Sequence, residues 1–260
     1  MLFSHSLKAI LQRQLLALIQ SDEFKDMGSF ATRDIPVYRL KSDYPIVYRC
    51  AIAQQISGNA EDFARKIVER FRQDPRFSVE IARSPWIDFR LSNRALANWL
   101  HDAIRIQSLS LQNCTASGCN LSQYTHARCL SLLYSASRQG LIVLHPWEKD
   151  LNWQWCEPKT IPWLDFSSDF SSLRWQHPTE TALIAGAIDL CDREVTRQTT
   201  DWKKQALRFS ERILACDRAC RIWGQPLDLA RGRLGSIAIA QRILSWILQE
   251  KLMVIPWLEC

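Results

Sequence analysis

Glycine is scarce in this chain, 8 in 260 residues, and the few present never gather into the glycine-rich loops that cradle phosphates in Walker-type or dinucleotide sites. The commonest nucleotide-binding signatures are therefore absent. No stretch approaches ~18 uninterrupted apolar residues, so no membrane-spanning helix is expected. Lys8, Arg13 and several glutamines interrupt the apolar run near Met1, so a signal peptide is not expected either. Internal repeats and low-complexity tracts are missing as well. Cysteine is plentiful, with nine residues, but none form Cys-x-x-Cys. The nearest pairs are Cys114 with Cys119 and Cys216 with Cys220, and the second belongs to a helical apolar stripe better read as core. Neither a metal site nor a disulfide framework is expected, and reduced thiols of this kind predict a cytoplasmic protein.

Charge of one sign is also lacking. Lys and Arg number 33 against 27 Asp and Glu, a net +6. Residues 1–110 hold 16 basic and 12 acidic groups, +4; the remainder holds 17 and 15, +2. That balance suits an RNA backbone partner but not a binder that relies on electrostatics alone. Hydrophobic residues make up 47%, enough for packed cores, and the length suggests one large or two modest domains.

The first part reads as α+β. Residues 3–20 are amphipathic, with Leu7, Ile10, Leu11, Leu15 and Leu18 on one side, and predict a helix. Residues 35–48 read as strand or extended chain, and Arg49–Ile56 as a short helix stopping at Ser57-Gly58. Asn59 is the N-cap of another helix, with Glu61 and Asp62 in its first turn and Phe63, Ile67 and Phe71 buried. Phe77, Val79 and Ile81 alternate, as do Ile87, Phe89 and Leu91, about a turn at Arg83-Ser84-Pro85; this is a hairpin pattern. Residues 93–107 return to helix, and 111–120 read as a linker.

The second part, 121–260, reads as an all-α bundle with an insert. A helix is expected over 121–137. Residues 140–178 hold five of the eleven tryptophans (Trp147, Trp153, Trp155, Trp163, Trp175) and four prolines, too much proline for regular helix and too much aromatic for a free linker. Two readings stand for the insert: a packed excursion or a protein interface. Helix is expected from there on, along the seam Trp202, Ala206, Phe209, Ile213, Cys216, Cys220 and a second seam Leu227, Ala230, Leu234, Ala238, Gln241, Leu244, Leu248.

Several runs have a specific order. Asp43-Tyr44 leads into Ala51-Ile52-Ala53-Gln54-Gln55-Ile56, and Ser84-Pro85-Trp86-Ile87-Asp88-Phe89-Arg90-Leu91 follows. Gln123-Tyr124-Thr125-His126-Ala127-Arg128 opens the second part. Thr181-Ala182-Leu183-Ile184, Ala215–Arg221 and Leu227-Asp228-Leu229-Ala230-Arg231-Gly232-Arg233-Leu234 mark its later helices. Together they resemble the two RNA-contacting ends of arginyl-tRNA synthetase, its N-terminal add-on domain and its C-terminal DALR anticodon-binding domain. The resemblance implies residues 1–110 as add-on-like and 121–260 as DALR-like. In that family a catalytic domain lies between them. Here only about thirty residues separate Leu91 from Tyr124, whereas a domain needs ~50 or more. None of His5, His101, His126, His145 and His177 fits the family's His-x-Gly-His signature, and no Lys-Met-Ser-Lys-Ser-like loop is present. No catalysis and no cofactor are expected.

The resemblance assigns Trp86 and Asp88 to a contact with a base of the tRNA D-loop, Trp86 by stacking and Asp88 by accepting from a base amino group. A second reading of Trp86 is that it caps the small sheet. Arg49, Arg65, Arg70, Arg72, Arg76, Arg83, Arg90 and Arg94 are available to the phosphate backbone, Arg83 and Arg90 foremost; the alternative is a solvated face balanced by Glu61, Asp62 and Glu69. Tyr124, His126 and Arg128 are either partner-facing or packing and capping groups, packing being the reading for His126. Arg231 lies in the Arg-Leu closing helix and joins the RNA-binding set. Where the family ends on Pro and a final Met, this sequence reads Pro256-Trp257-Leu258-Glu259-Cys260, so Trp257 either replaces that Met as a stacking surface or is buried. The expected function is a non-catalytic paralogue that binds tRNA, of arginine type by resemblance, and presents it to a partner such as a tRNA-modifying enzyme. The alternative is a protein-interaction adaptor.

Overall fold

The computed structural model describes residues 5–21, 35–55, 59–83, 85–106, 120–145, 153–165, 172–195 and 200–258. Cys114, Cys119, Trp147, Ser84, Ile56 and all of the expected linker but Asn120 lie outside these. The chain divides into two compact units, Ser6–Leu96 and Ala97–Cys260, the latter together with Met1–His5.

The first unit runs α1 (Leu7–Ile19), β1 (Val37–Arg39), β2 (Val47–Cys50), a 3-10 turn (Ile52–Gln55), α2 (Ala60–Phe71), β3 (Phe77–Arg83) and β4 (Trp86–Leu91). Ser6 caps α1 by accepting from the Ala9 amide, and Leu7, Leu11, Leu15 and Ile19 are buried. Asn59 caps α2 as expected, accepting from the amides of Glu61 and Asp62. The four strands form an antiparallel sheet of order β1-β2-β4-β3. Its inner face packs beneath α2: the Phe89 ring meets Phe71 at 5.0 Å and Phe77 at 6.1 Å, both edge to face. The expected helix over Arg49–Ile56 is corrected here. Val47–Cys50 is a strand, because it lies between β1 and β4 and both its edges are hydrogen-bonded; that pairing overrides the local helical pattern. A single 3-10 turn follows it.

Helix α3 (Asn93–Ala103) spans the division between the units. The second unit continues with α4 (Asn120–Arg138), β5 (Val143–His145), β6 (Gln154–Glu157), β7 (Leu164–Asp165), β8 (Ser172–Leu173), α5 (Pro178–Val195), α6 (Trp202–Ala219) and α7 (Leu227–Trp246). The all-α expectation needs amending, since the insert forms two short antiparallel pairs, β5 with β6 and β7 with β8. Trp153 and Trp163 are buried, so these two follow the packing reading. Gly235 of α7 admits the second of them: a Cβ there would lie 2.4 Å from the Trp163 ring and 3.1 Å from Ile161. The α6 seam is buried from Ala206 to Cys220, and Trp202 meets Trp246 edge to face at 5.6 Å. Helix does not persist to the end. It passes into a π-helical turn, Ile247–Lys251, and then into an irregular tail.

Candidate nucleic-acid interface

Strand register decides which side chains share the outer face of the sheet. Tyr38 of β1 stands opposite Arg49 of β2, which stands opposite Asp88 of β4, which stands opposite Glu80 of β3. A neighbouring row holds Val47, Arg90 and Ser78. Because alternate residues face opposite sides, Ile87 and Phe89 turn inward while Trp86, Asp88 and Arg90 turn outward. A register shift between Ile81 and Arg83 pairs Arg83 with Trp86. Such a bulge re-aims a side chain, and it brings Arg83 to the outer face beside the indole.

The centre of this face is an ion pair. Arg49 Nε donates to Asp88 Oδ1 and Nη2 to Oδ2, both at 2.7 Å, in the bidentate fork that suits a guanidinium to a carboxylate. These bonds raise the Arg49 pKa further and keep it charged. The same guanidinium lies over the Trp86 ring, 6.0 Å from its centroid. Trp86 is half-buried, Arg83 and Arg90 are exposed, and neither arginine pairs with an acid among the described residues. Asp88, 8% exposed, accepts from Arg49 on both oxygens, which makes positioning Arg49 its role within the fold. Among the other arginines, Arg65 lies 3.5 Å from Asp62, one of the acids named for the solvated face, whereas Arg76 is bidentate to Asp74, outside that set.

In the helical unit the Gln-Tyr-Thr-His-Ala-Arg run of α4 divides its labour. Gln123 and His126 face inward and hold the C-terminal tail: Gln123 Nε2 donates to the Ile255 carbonyl at 2.7 Å, and His126 Nδ1 bonds the Trp257 carbonyl at 2.8 Å. On the other ring nitrogen, Gln241 Nε2 lies 2.7 Å from His126 Nε2, and Trp153 Nε1 donates to Gln241 Oε1 at 3.1 Å. The directions close if the imidazole is neutral, with its proton on Nδ1. Burial, opposed by the bond to Trp257 and assisted by Arg242, pushes the His126 pKa down to about 4. Arg242 stacks on Trp153, 3.9 Å from the ring centroid, and donates to its carbonyl; burial lowers its own pKa to about 10.

The outward residues of the run are Tyr124, 42% exposed, and Arg128, whose Nε donates to Asp217 Oδ2 at 3.0 Å. Held by its backbone, Trp257 keeps its side chain 39% exposed, so the burial reading does not hold for it. Arg231 instead donates to the Leu141 carbonyl at 2.9 Å, a bond that ties the turn after α4 to α7. Arg233, outside the expected set, pairs with Glu180 at 3.0 Å in a buried bridge. Leu121 of α4, Leu207 of α6, and Ile255 and Leu258 of the tail are exposed as well. Leu121 and Leu207 also line a cavity of about 430 Å³ with Asn120, Ser122, Asp201, Lys203 and Lys204.

Sequence reasoning missed Tyr38, Gln241 and the positioning part of Arg49. Tyr38 had a signal, its alternation with the buried Val37; the other two depend on partners 39 and 115 residues away. Among the described residues no cluster of three or more His, Cys, Asp or Glu could hold a metal, and no helix is long and apolar enough to cross a membrane. Comparison with family models, curated proteins and solved structures found no match.

Proposed function

We propose that this chain binds tRNA without acting on it chemically, through modules akin to the add-on and DALR domains of arginyl-tRNA synthetase. The observation that carries the reading is the outer face of the sheet. There a half-exposed tryptophan is backed by an ion-paired guanidinium and paired across the hairpin with Arg83, and Arg90 stands further along the same strand; both arginines are exposed and, among the described residues, have no acidic partner. An aromatic face gives an unpaired base a stacking surface, and unpaired guanidinia attract phosphate. In the helical unit Tyr124 and Trp257 supply further exposed aromatic faces, and Arg128 adds a guanidinium ion-paired with Asp217. An arginine-type tRNA, and its presentation to a tRNA-modifying enzyme, follow from the family resemblance. A gel-shift titration against total tRNA tests this reading. A complex that weakens steeply with salt is expected, and an absent or salt-insensitive shift contradicts it.

A protein-interaction adaptor is the second reading, favoured by the exposed apolar set Leu121, Tyr124, Leu207, Ile255, Trp257 and Leu258. Affinity capture with and without RNase separates the two. Partners that persist after digestion favour the adaptor; partners released by RNase favour tRNA.

A further inference from the structure

We infer that the sheet reads more than one base, with Tyr38 as a second stacking platform beside Trp86, so that an unpaired RNA strand lies across β1, β2 and β4. This rests on the tRNA-binding reading and goes beyond the single base that the family resemblance supplies. Tyr38 is 54% exposed and shares the outer face through the register Tyr38, Arg49, Asp88. One exposed aromatic is ordinary on a protein surface. What distinguishes this one is that it shares a face with a second aromatic and with two arginines that have no acidic partner among the described residues.

The spacing suits a strand of splayed nucleotides. Two strand intervals of ~4.8 Å separate Tyr38 from Asp88, and Trp86 lies two residues further along at ~3.4 Å each, so the platforms stand roughly 12 Å apart. Four-stranded sheets with two or three surface aromatics stack two or three bases in this way. Arg83, paired with Trp86 across the hairpin, extends the line through the two platforms and offers a phosphate contact at its end, while Arg90 stands in the row on the other side of Asp88. Between the platforms the Arg49–Asp88 pair is already neutralised, so the interval is polar but offers no net charge to repel or trap the backbone. A double helix keeps its bases paired and stacked, so this face suits loops and single strands rather than duplex.

The test uses the full chain, an end-labelled unstructured 12-nucleotide RNA, a backbone-matched abasic oligomer, and tRNA, all read by fluorescence anisotropy. Tyr38→Ala is expected to weaken binding of the base-bearing RNA roughly 5- to 150-fold, the range for losing one stacked base. Tyr38→Phe should restore it, and the abasic oligomer should bind wild type and Tyr38→Ala alike. Tyr38→Thr keeps β propensity in the edge strand and should repeat the alanine result if the effect is stacking rather than unfolding. Tyr38 variants within twofold of wild type, with Trp86→Ala weakened, overturn the second platform and leave tRNA binding standing. A chain that binds no tRNA at low salt overturns both.

Discussion

At the residue scale, two polar groups do the positioning. Arg49 and Asp88 share two hydrogen bonds of 2.7 Å, and through Arg49 they fix the back of the Trp86 ring. If they act on RNA only through that geometry, Arg49→Ala and Asp88→Asn should weaken tRNA binding by similar factors, and the double variant should be no worse than either single one. Additive losses in binding assays would instead mean that Asp88 meets a base itself. His126 gives the second prediction. Its ordinary pKa of 6.5 falls to about 4 in the fold, so between those values acid protonates the unfolded chain but not the native one. Stability from this group is full above 6.5 and declines as pH drops toward 4, by on the order of 3 kcal/mol. His126→Gln can keep both hydrogen bonds without titrating. Its urea-denaturation profile should therefore be flatter than wild type across that window, and superimposable profiles would refute the assignment. The order of the Gln-Tyr-Thr-His-Ala-Arg run hinted at a packing histidine, but its partners Gln241 and Trp257 were invisible, since only the folded chain brings α4, α7 and the tail together.

At the scale of elements, periodicity was a good guide where one local rule acted alone. The hairpin alternation predicted which of Trp86 to Leu91 face inward, and Asn59 capped its helix as its side chain requires. Pattern failed where tertiary pairing took over, as in β2, and where proline and tryptophan hid short strands in the insert. That insert packs on α7 through glycine, which gives a paired prediction. A Cβ at Gly232 would meet only the Pro162 carbonyl at 3.7 Å, an ordinary contact, whereas at Gly235 it would strike the Trp163 ring at 2.4 Å. Gly232→Ala should stabilise the chain by about 0.5–1 kcal/mol through helix propensity. Gly235→Ala should destabilise it by about 1–3 kcal/mol through overpacking. Chemical denaturation of the two variants measures both signs, and equal effects would mean that Trp163 is not seated where α7 lacks side chains.

At the scale of the whole molecule, a net charge of +6 is too small for a general polyanion binder, so binding depends on where cations and aromatics stand rather than how many there are. The sequence order carried the resemblance, yet the neutralised Asp88, and Arg83 and Arg90 with no acidic partner among the described residues, became visible only in the folded sheet. The most direct measurement is tRNA affinity against salt concentration for wild type and for the Arg83→Ala/Arg90→Ala chain. A low-salt complex is expected whose log–log slope becomes shallower by about 1.4 in the double variant, from ~0.7 per phosphate contact on an unpaired strand. No complex at low salt, or an unchanged slope, would contradict it.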